Sequence, residues 1–305
     1  RWLSRLGRDV AVARVQFNNE VPTLTLQVNR HRVTPTALAK QLGAHGVQTL
    51  PTRFAEGGLS VVTGNPLRTP LAQRGLFEVQ NEASQLVAEL AAVRHGERVL
   101  DACAAPGGKT IALVMGAGSA GTVIAADLRP ARVRLLQATL REFGCQNVPV
   151  VRHDLRQPPF LEVFDCVLVD APCSGLGTIR RDPEIRWRRT SGDLAHYAST
   201  QNALLAQAAR TVRPGGRLVY ATCSSEPEEN EEVVATFLAS HPSYEAIHPE
   251  LLGPVSPGLR SVLNTDGCLS TNPEAHALES FFGATLLRLG GPTRHDWHRD
   301  ATDNL

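Results

Sequence analysis

A chain of 305 residues with 42% hydrophobic side chains is long enough for about two domains and a sizeable core. Its net charge of +1 does not by itself point to nucleic acid, no apolar run approaches the roughly 20 residues that span a bilayer, and no signal peptide opens the sequence. The six cysteines, Cys103, Cys145, Cys166, Cys173, Cys223 and Cys268, are scattered without a C-x-x-C pair, which argues against zinc and a disulfide framework and for a reducing cytoplasm. Met115 is the only methionine, so the sequence reads as the remainder of a longer protein.

Charge is unevenly spread. Residues 1–75 hold ten basic side chains against three acidic ones, a net +7 suited to a phosphate backbone, with a merely soluble basic surface as the alternative. Apolar alternation over residues 10–29 (Val10, Val12, Val15, Phe17, then Leu24, Leu26, Val28) predicts strands around a turn at Asn18-Asn19-Glu20-Val21-Pro22. Thr34-Pro35 then starts a short helix through Leu42, Thr34 as cap and Pro35 in the first position. Strand-like pieces follow over 48–50 and 59–62, completing a small α+β module that ends at Gly64-Asn65-Pro66 and Thr69-Pro70. Residues 77–93 read as a helix with Leu86, Val87, Leu90 and Ala91 on one face.

From residue 98 strands and helices alternate, the pattern of a doubly wound, mostly parallel α/β sheet. Strands are expected over 98–102, 122–127, 148–152, 164–170 and 217–222, and helices over about 109–116, 131–143, 194–212 and 228–240. Residues 281–289 predict an antiparallel edge strand pairing near 267–270, and the polar residues after Gly290-Gly291-Pro292 a disordered tail.

The stretch VLDACAAPGGKT, residues 99–110, runs from a buried strand through a turn of small residues into a helix. Gly107 and Gly108 let backbone N–H groups and a helix N-terminus approach a ligand, although neither the G-x-G-x-x-G nor the phosphate-loop spacing is present. Lys109 is one of only two lysines among 31 basic residues, a weak sign that a compact ammonium is wanted there. Other candidates end the following strands, where open α/β sheets bind ligands. Asp127 lies 20 residues beyond Gly107, near the spacing at which an acid meets a ribose hydroxyl, or it is a turn residue before Arg129-Pro130. Asp154 either accepts from an adenine or closes a turn. Asp170 and Cys173 stand three positions apart on a Pro-Gly turn, and Cys223 ends the next strand, so the two thiols can face one cleft. A buried cysteine that serves only as a small hydrophobe is the plainer alternative.

These residues carry a resemblance. DACAAPGGKT, DAPCSGLGTIRR and ATCSSEPEENEEVV resemble the motif set of the RNA cytosine-5 methyltransferases that use S-adenosylmethionine. FNNEVPTLTLQVNR, GLFEVQNEASQLV and ESFFGATLLRL extend the likeness to the bacterial 16S ribosomal RNA members, without their N-terminal domain like an antitermination factor. Two departures stand out: Glu279-Ser280-Phe281-Phe282 replaces Asp-Gly-Phe-Phe, and the Asn usual in the helix before the third strand is missing from Ala138-Thr139-Leu140-Arg141.

The resemblance implies a Rossmann-like methyltransferase domain over 77–290, a basic RNA-binding module over 1–76 and a polar tail over 291–305. It implies S-adenosylmethionine as cofactor, held by Cys103, Ala104, Ala105, Pro106, Gly107, Gly108, Lys109, Asp127, Asp154 and Asp170. Cys223 would attack C6 of cytosine, Cys173 would assist release, and Asp170 with Lys109 would complete the catalytic set. In DNA cytosine-5 methyltransferases the attacking cysteine follows a proline, so Pro172-Cys173 stays a rival for that role. Arg180, Arg181, Arg186, Arg188 and Arg189 would join the basic stretch in holding RNA, and Trp187 would stack on a base or pack. The scattered cysteines and the lack of a spanning run point to a cytoplasmic protein without metal or membrane partner, its oligomeric state unread with a monomer as the default, and the resemblance implies ribosomal RNA as its substrate. Transfer RNA as substrate, and a non-catalytic RNA-binding assembly factor, are the alternatives.

Overall fold

The computed structural model describes residues 1–157, 159–253 and 255–290. The tail expected over 291–305 lies outside the described residues.

Two helices come first, α1 (Trp2–Leu6) and α2 (Arg8–Phe17), separated by Gly7 at φ 78°. The strand expected over the first part of 10–29 is therefore corrected to a helix. Its inner face is Ala11, Arg14 and Phe17, at spacings of three, while Val10, Val12 and Val15 point to solvent. Arg14 is buried because Glu274 takes its guanidinium at 2.6 and 3.0 Å, so a charged residue holds the position an apolar one would normally mark.

A four-stranded antiparallel sheet follows, formed by β1 (Thr25–Val28), β2 (Gln48–Pro51), β3 (Gly58–Thr63) and β4 (Phe77–Val79) in the order β2-β3-β1-β4. Between β1 and β2 lies α3 (Pro35–Gly43), where Thr34 Oγ1 accepts from Ala37 N and Pro35 takes the first turn as expected. Leu38 and Leu42 pack on Leu26, Val28, Leu59 and Phe77. The single helix expected over 77–93 is instead β4 followed by α4 (Glu82–Leu90), capped by Asn81 through Ala83 N. Helix α4 is buried nearly all round, Leu86 and Leu90 completely, which is worth about 1.5–3 kcal/mol for each such side chain. It packs between Phe54 of the first sheet's loops and Val99, Cys166 and Val219 of the second sheet.

The second sheet carries β5 (Arg98–Asp101), α5 (Gly108–Ala117), β6 (Thr122–Asp127), α6 (Pro130–Glu142), β7 (Val150–Arg152) and β8 (Phe164–Asp170). After β8 come α7 (Ile185–Arg188), α8 (Ser191–Ala209), β9 (Val212–Thr222), α9 (Glu231–Ser240) and β10 (Tyr244–Ala246). The chain closes with α10 (Pro257–Arg260), β11 (Leu269–Ser270), α11 (Pro273–His276) and β12 (Phe282–Arg288). The strand order is β10-β12-β9-β8-β5-β6-β7, with β9 through β7 parallel, so the fold is the expected doubly wound sheet. Strand β12 is antiparallel and pairs with β11 as expected, but β10 lies outside it, so it is not an edge. The order reverses between β5 and β8, and open sheets bind ligands at the carboxyl ends of strands at such a point. Asp101 and Asp170 end those two strands.

Candidate active site

The loop from Ala102 to Gly107 leaves β5 at this switch point and enters α5. It is pinned to both neighbouring strands, Ala102 N donating to Leu168 O and Ala104 N to Ala126 O at 2.9 Å each. Gly107 sits at φ 124°, which favours glycine, and a Cβ on Gly108 would fall 2.6 Å from Glu78 Oε2, so the Glu78 side chain would have to shift to admit one. Beside the loop is a cavity of about 110 Å³ lined by Cys103, Ala104, Ala105, Pro106, Gly108, Lys109, Asp101 and Asp170, and by Glu78 and Gln80 from the chain leaving the first sheet. Asp101 is wholly buried and accepts from Thr110 Oγ1 at 2.7 Å, and burial pushes its carboxyl up to about 7.

Asp127 reaches the same loop. Its carboxylate accepts from Ala105 N at 3.3 Å, Arg129 N at 3.2 Å and Arg132 Nε at 2.9 Å. Arg132 also donates to Ala105 O, and its half-exposed side chain therefore stands where a ligand's hydroxyls would meet Asp127. Asp154 behaves differently. It is not on the cavity wall, and its carboxylate is held by Arg156 at 2.5–3.0 Å, a contact that draws its pKa below the usual value. Here the Asp154 carboxylate is engaged in the turn after β7, and neither it nor Asp127 lines this cavity.

The two thiols do meet. Strands β8 and β9 are parallel neighbours with Asp170 opposite Ala221, so the loops that follow run side by side. Cys173 Sγ and Cys223 Sγ are 3.1 Å apart. The hydrogen bond from the Cys173 thiol draws the Cys223 sulfur toward the thiolate, against burial and Asp170, with Lys109 assisting; the same bond and burial push Cys173 well up. Lys109 Nζ donates to Asp170 Oδ2 at 2.8 Å. Burial alone would lower the Lys109 pKa, but the Asp170 charge and hydrogen bond outweigh it, so the ammonium persists.

Glu229 fastens the two cysteine loops together. It is fully buried and accepts from Ser174 N at 2.8 Å, Ser174 Oγ at 2.5 Å, Gln201 Nε2 at 3.0 Å and Ser224 Oγ at 2.5 Å. Ser174 and Ser224 directly follow Cys173 and Cys223, so this one carboxylate sets the spacing of the thiols. Sequence reasoning missed it because Glu229 sits in the run Glu226-Pro227-Glu228-Glu229, which reads as a solvated acidic face. Its only local signal is the neighbouring Ser224-Ser225 pair. Glu78 and Gln80 were missed because residues 77–93 were read as one helix.

The arginines expected to hold RNA are largely engaged within the protein. Arg1 and Arg5 bind the buried Glu226 at 2.8 and 3.0 Å, and Arg14 binds Glu274. Arg180 donates to Val21 O and lies over the Phe17 ring, Arg181 donates to Glu279 and Thr23 O, and Arg186 to Asn18 O. Arg188 pairs with Glu184 on its own helix, and Arg189 donates to Ser174 O. Arg180, Arg181 and Arg186 bind the leading segment to the second sheet's loops by donating to the backbone carbonyls of Val21, Thr23 and Asn18 after α2. Trp187 between them is 88% exposed and does not pack.

Among the described residues no group of His, Cys, Asp or Glu is placed to hold a metal ion, and no helix is long and apolar enough to cross a membrane.

Residues 88–287 match the family described as 16S rRNA methyltransferase RsmB/F. Over 295 residues the chain is 32% identical to the probable ribosomal RNA small subunit methyltransferase B of Bacillus subtilis, covering 95% of this chain and 65% of that protein. It is 37% identical to the ribosomal RNA small subunit methyltransferase B of Sodalis glossinidius, covering 90% and 61%. The chain thus spans less than two thirds of the length of these relatives. A crystal structure of a methyltransferase homolog protein from Pyrococcus horikoshii superposes with a TM-score of 0.76 at 26% identity, over 94% of this chain and 97% of that one.

Proposed function

Because the chain belongs to the 16S rRNA methyltransferase RsmB/F family, we propose that it transfers a methyl group from S-adenosylmethionine to C5 of a cytosine in small-subunit ribosomal RNA. The observation that carries the reaction is the pair of thiols 3.1 Å apart at the ends of adjacent parallel strands, beside the Lys109–Asp170 ion pair.

The residues present fit the cofactor. Gly107 and Gly108 keep the loop open to it, Asp127 is the acid for its ribose hydroxyls once Arg132 moves aside, and the cavity by Asp101 retains polar atoms without partners. Bound there, S-adenosylmethionine supplies an electrophilic methyl group on a sulfonium.

C5 of cytosine is too weak a nucleophile to take that methyl group unaided. Addition of the Cys223 thiolate at C6 turns C5 into an enamine-like carbon. Asp170 holds the exocyclic amine and favours a proton at N3, which stabilises the charge that develops. Lys109 holds Asp170 in place and lowers the proton affinity of Cys223. After methylation the C5 proton passes to water, its electron pair re-forms the C5–C6 double bond, and the C6–S pair returns to the Cys223 sulfur. The Cys173 thiol, 3.1 Å from the Cys223 sulfur, assists this release by donating a proton to the departing thiolate. The target must be unpaired or flipped out, because a stacked base does not admit attack at C6.

Ribosomal over transfer RNA rests on the relatives' names and the family match. The test is to incubate the protein with methyl-labelled S-adenosylmethionine and unmethylated small-subunit ribosomal RNA or transfer RNA, then analyse nucleosides by mass spectrometry. Label in 5-methylcytidine from ribosomal RNA is expected. Label in another nucleoside would overturn the position of transfer, and label only in transfer RNA would overturn the substrate.

A further inference from the structure

We propose that Glu78, with Gln80 and Asp101 beside it, seats the α-ammonium of the methionine half of S-adenosylmethionine and makes the site select ligands that carry an amino group. This rests on the cofactor reading above. Strand β4 pairs with β1, Gln27 opposite Glu78 and Leu26 opposite Val79, and so carries Glu78 out of the first sheet to the N-terminus of α5. Side chains two apart on extended chain share a face, which brings Gln80 to the same wall of the cavity. Both lie against Gly108: a Cβ there would be 2.6 Å from Glu78 Oε2 and 2.8 Å from Gln80 Nε2.

Three buried oxygens on this wall, Glu78 Oε2, Gln80 Oε1 and Asp101 Oδ1, have no hydrogen-bond donor. Buried acceptors left in that state are costly, and together they call for a ligand group made of donors. A primary ammonium offers three N–H donors and no acceptor, whereas a carboxylate or hydroxyl would face oxygens with oxygens. Lys109 is the cation on the cavity wall, and its ammonium is committed to Asp170. The groups acting on Glu78 from the surrounding elements are Lys109, which favours its charged form, and Glu142, which opposes it. Burial dominates and pushes Glu78 up to about 7. Below that pH Glu78 carries a proton that an incoming ammonium must displace, so affinity rises with pH through about 7 and levels off above it. Asp101, also held up to about 7, adds to the same slope.

The test is calorimetry with two ligands, S-adenosylhomocysteine and its desamino counterpart ending in a plain butanoate, on the wild-type protein and Glu78→Gln. Wild type should prefer the amino ligand by at least about tenfold at pH 8, the scale of one charge-assisted hydrogen bond. Glu78→Gln should weaken S-adenosylhomocysteine by about that factor, leave the desamino ligand nearly unchanged, and flatten the pH slope. Equal affinities of wild type for the two ligands would overturn the proposal, and so would a wild-type affinity for S-adenosylhomocysteine independent of pH from about 6 to about 8, the range around the value of about 7 to which burial raises Glu78. These wild-type measurements carry the test whether or not the variant folds. A wild type that binds neither ligand would overturn the cofactor reading and the proposal together; one that binds S-adenosylhomocysteine with no amino preference would overturn the proposal alone.

Discussion

The charge state of the site depends on a few side chains that face one another inside the molecule. The hydrogen bond shared with Cys173 and the Lys109 ammonium both favour a thiolate at Cys223, so its thiol titrates below its usual range. Because a thiolate is the reactive form, the pH profile for alkylation of Cys223 should rise at a lower pH than the ordinary thiol value of about 8.5. Lys109→Gln removes the cation and leaves the Asp170 charge unpaired, and both changes raise the Cys223 pKa. The rising limb should therefore move to higher pH, as read by mass spectrometry of the alkylated cysteine; a limb that stays or moves lower would contradict the electrostatic reading. Glu229 is held to a different standard, because all four of its partners are donors. Glu229→Ala takes the acceptor away from all four donors and should destabilise the fold by about 1.5–3 kcal/mol in urea titration. No measurable loss would mean that the cysteine loops are spaced by something else.

At the scale of elements, the central strands were legible and the long-range pairings were not. Strands β6 and β8 fall on the expected residues because parallel strands buried on both faces are unbroken apolar runs, here ending in Asp127 and Asp170. Helix α3 announced itself through Thr34 and Pro35. By contrast β4 is three residues long and exists because β1, some distance earlier in the chain, pairs with it, and no local pattern reports such a partner. Helix α2 was hidden by Arg14, whose buried face depends on Glu274 at the far end of the sequence. The same reasons separate the site residues. Glycines and strand-end acids show in the sequence, whereas Glu78 and Glu229 are single acids whose burial only the fold creates, and Asp154 shares the strand-end pattern without facing the cavity. One turn links the elements of the site: Gly177 N donates to Cys223 O and Gly177 O accepts from Ser280 N, both at 3.0 Å. A Cβ at this position would lie 1.9 Å from Ser280 O. Gly177→Ala should therefore cost about 1–3 kcal/mol in thermal or urea unfolding and displace the Cys223 loop, a cost of overpacking; wild-type stability would contradict the packing described.

For the whole molecule, the leading segment and the catalytic sheet form one interlocked body. Arg1, Arg5 and Trp2 meet Glu226 just beyond Cys223, Arg14 meets Glu274, and Asn29 Nδ2 donates to Phe143 O across the other side. The basic excess of residues 1–75 is thus partly consumed in holding the protein together, which leaves less of it for a phosphate backbone. An exposed aromatic near this seam is Trp187, carried by α7 between Arg186 and Arg188, which are exposed as well. Trp187→Ala should weaken RNA binding by about 1–3 kcal/mol, the range for one stacked base, without changing S-adenosylhomocysteine affinity. Unchanged RNA binding would remove Trp187 from the RNA face.

The central claim is that Cys223 attacks the base and Cys173 assists its release. Mixing the protein with RNA and S-adenosylmethionine and running a denaturing gel tests it most directly. Cys223→Ala should be inactive and show no slow-moving RNA–protein band, because no bond to C6 forms. Cys173→Ala should accumulate that band, because the adduct forms and is not released. A band from Cys223→Ala and none from Cys173→Ala would exchange the two roles, and no band from either variant, with no methyl transfer by the unaltered protein, would contradict the account.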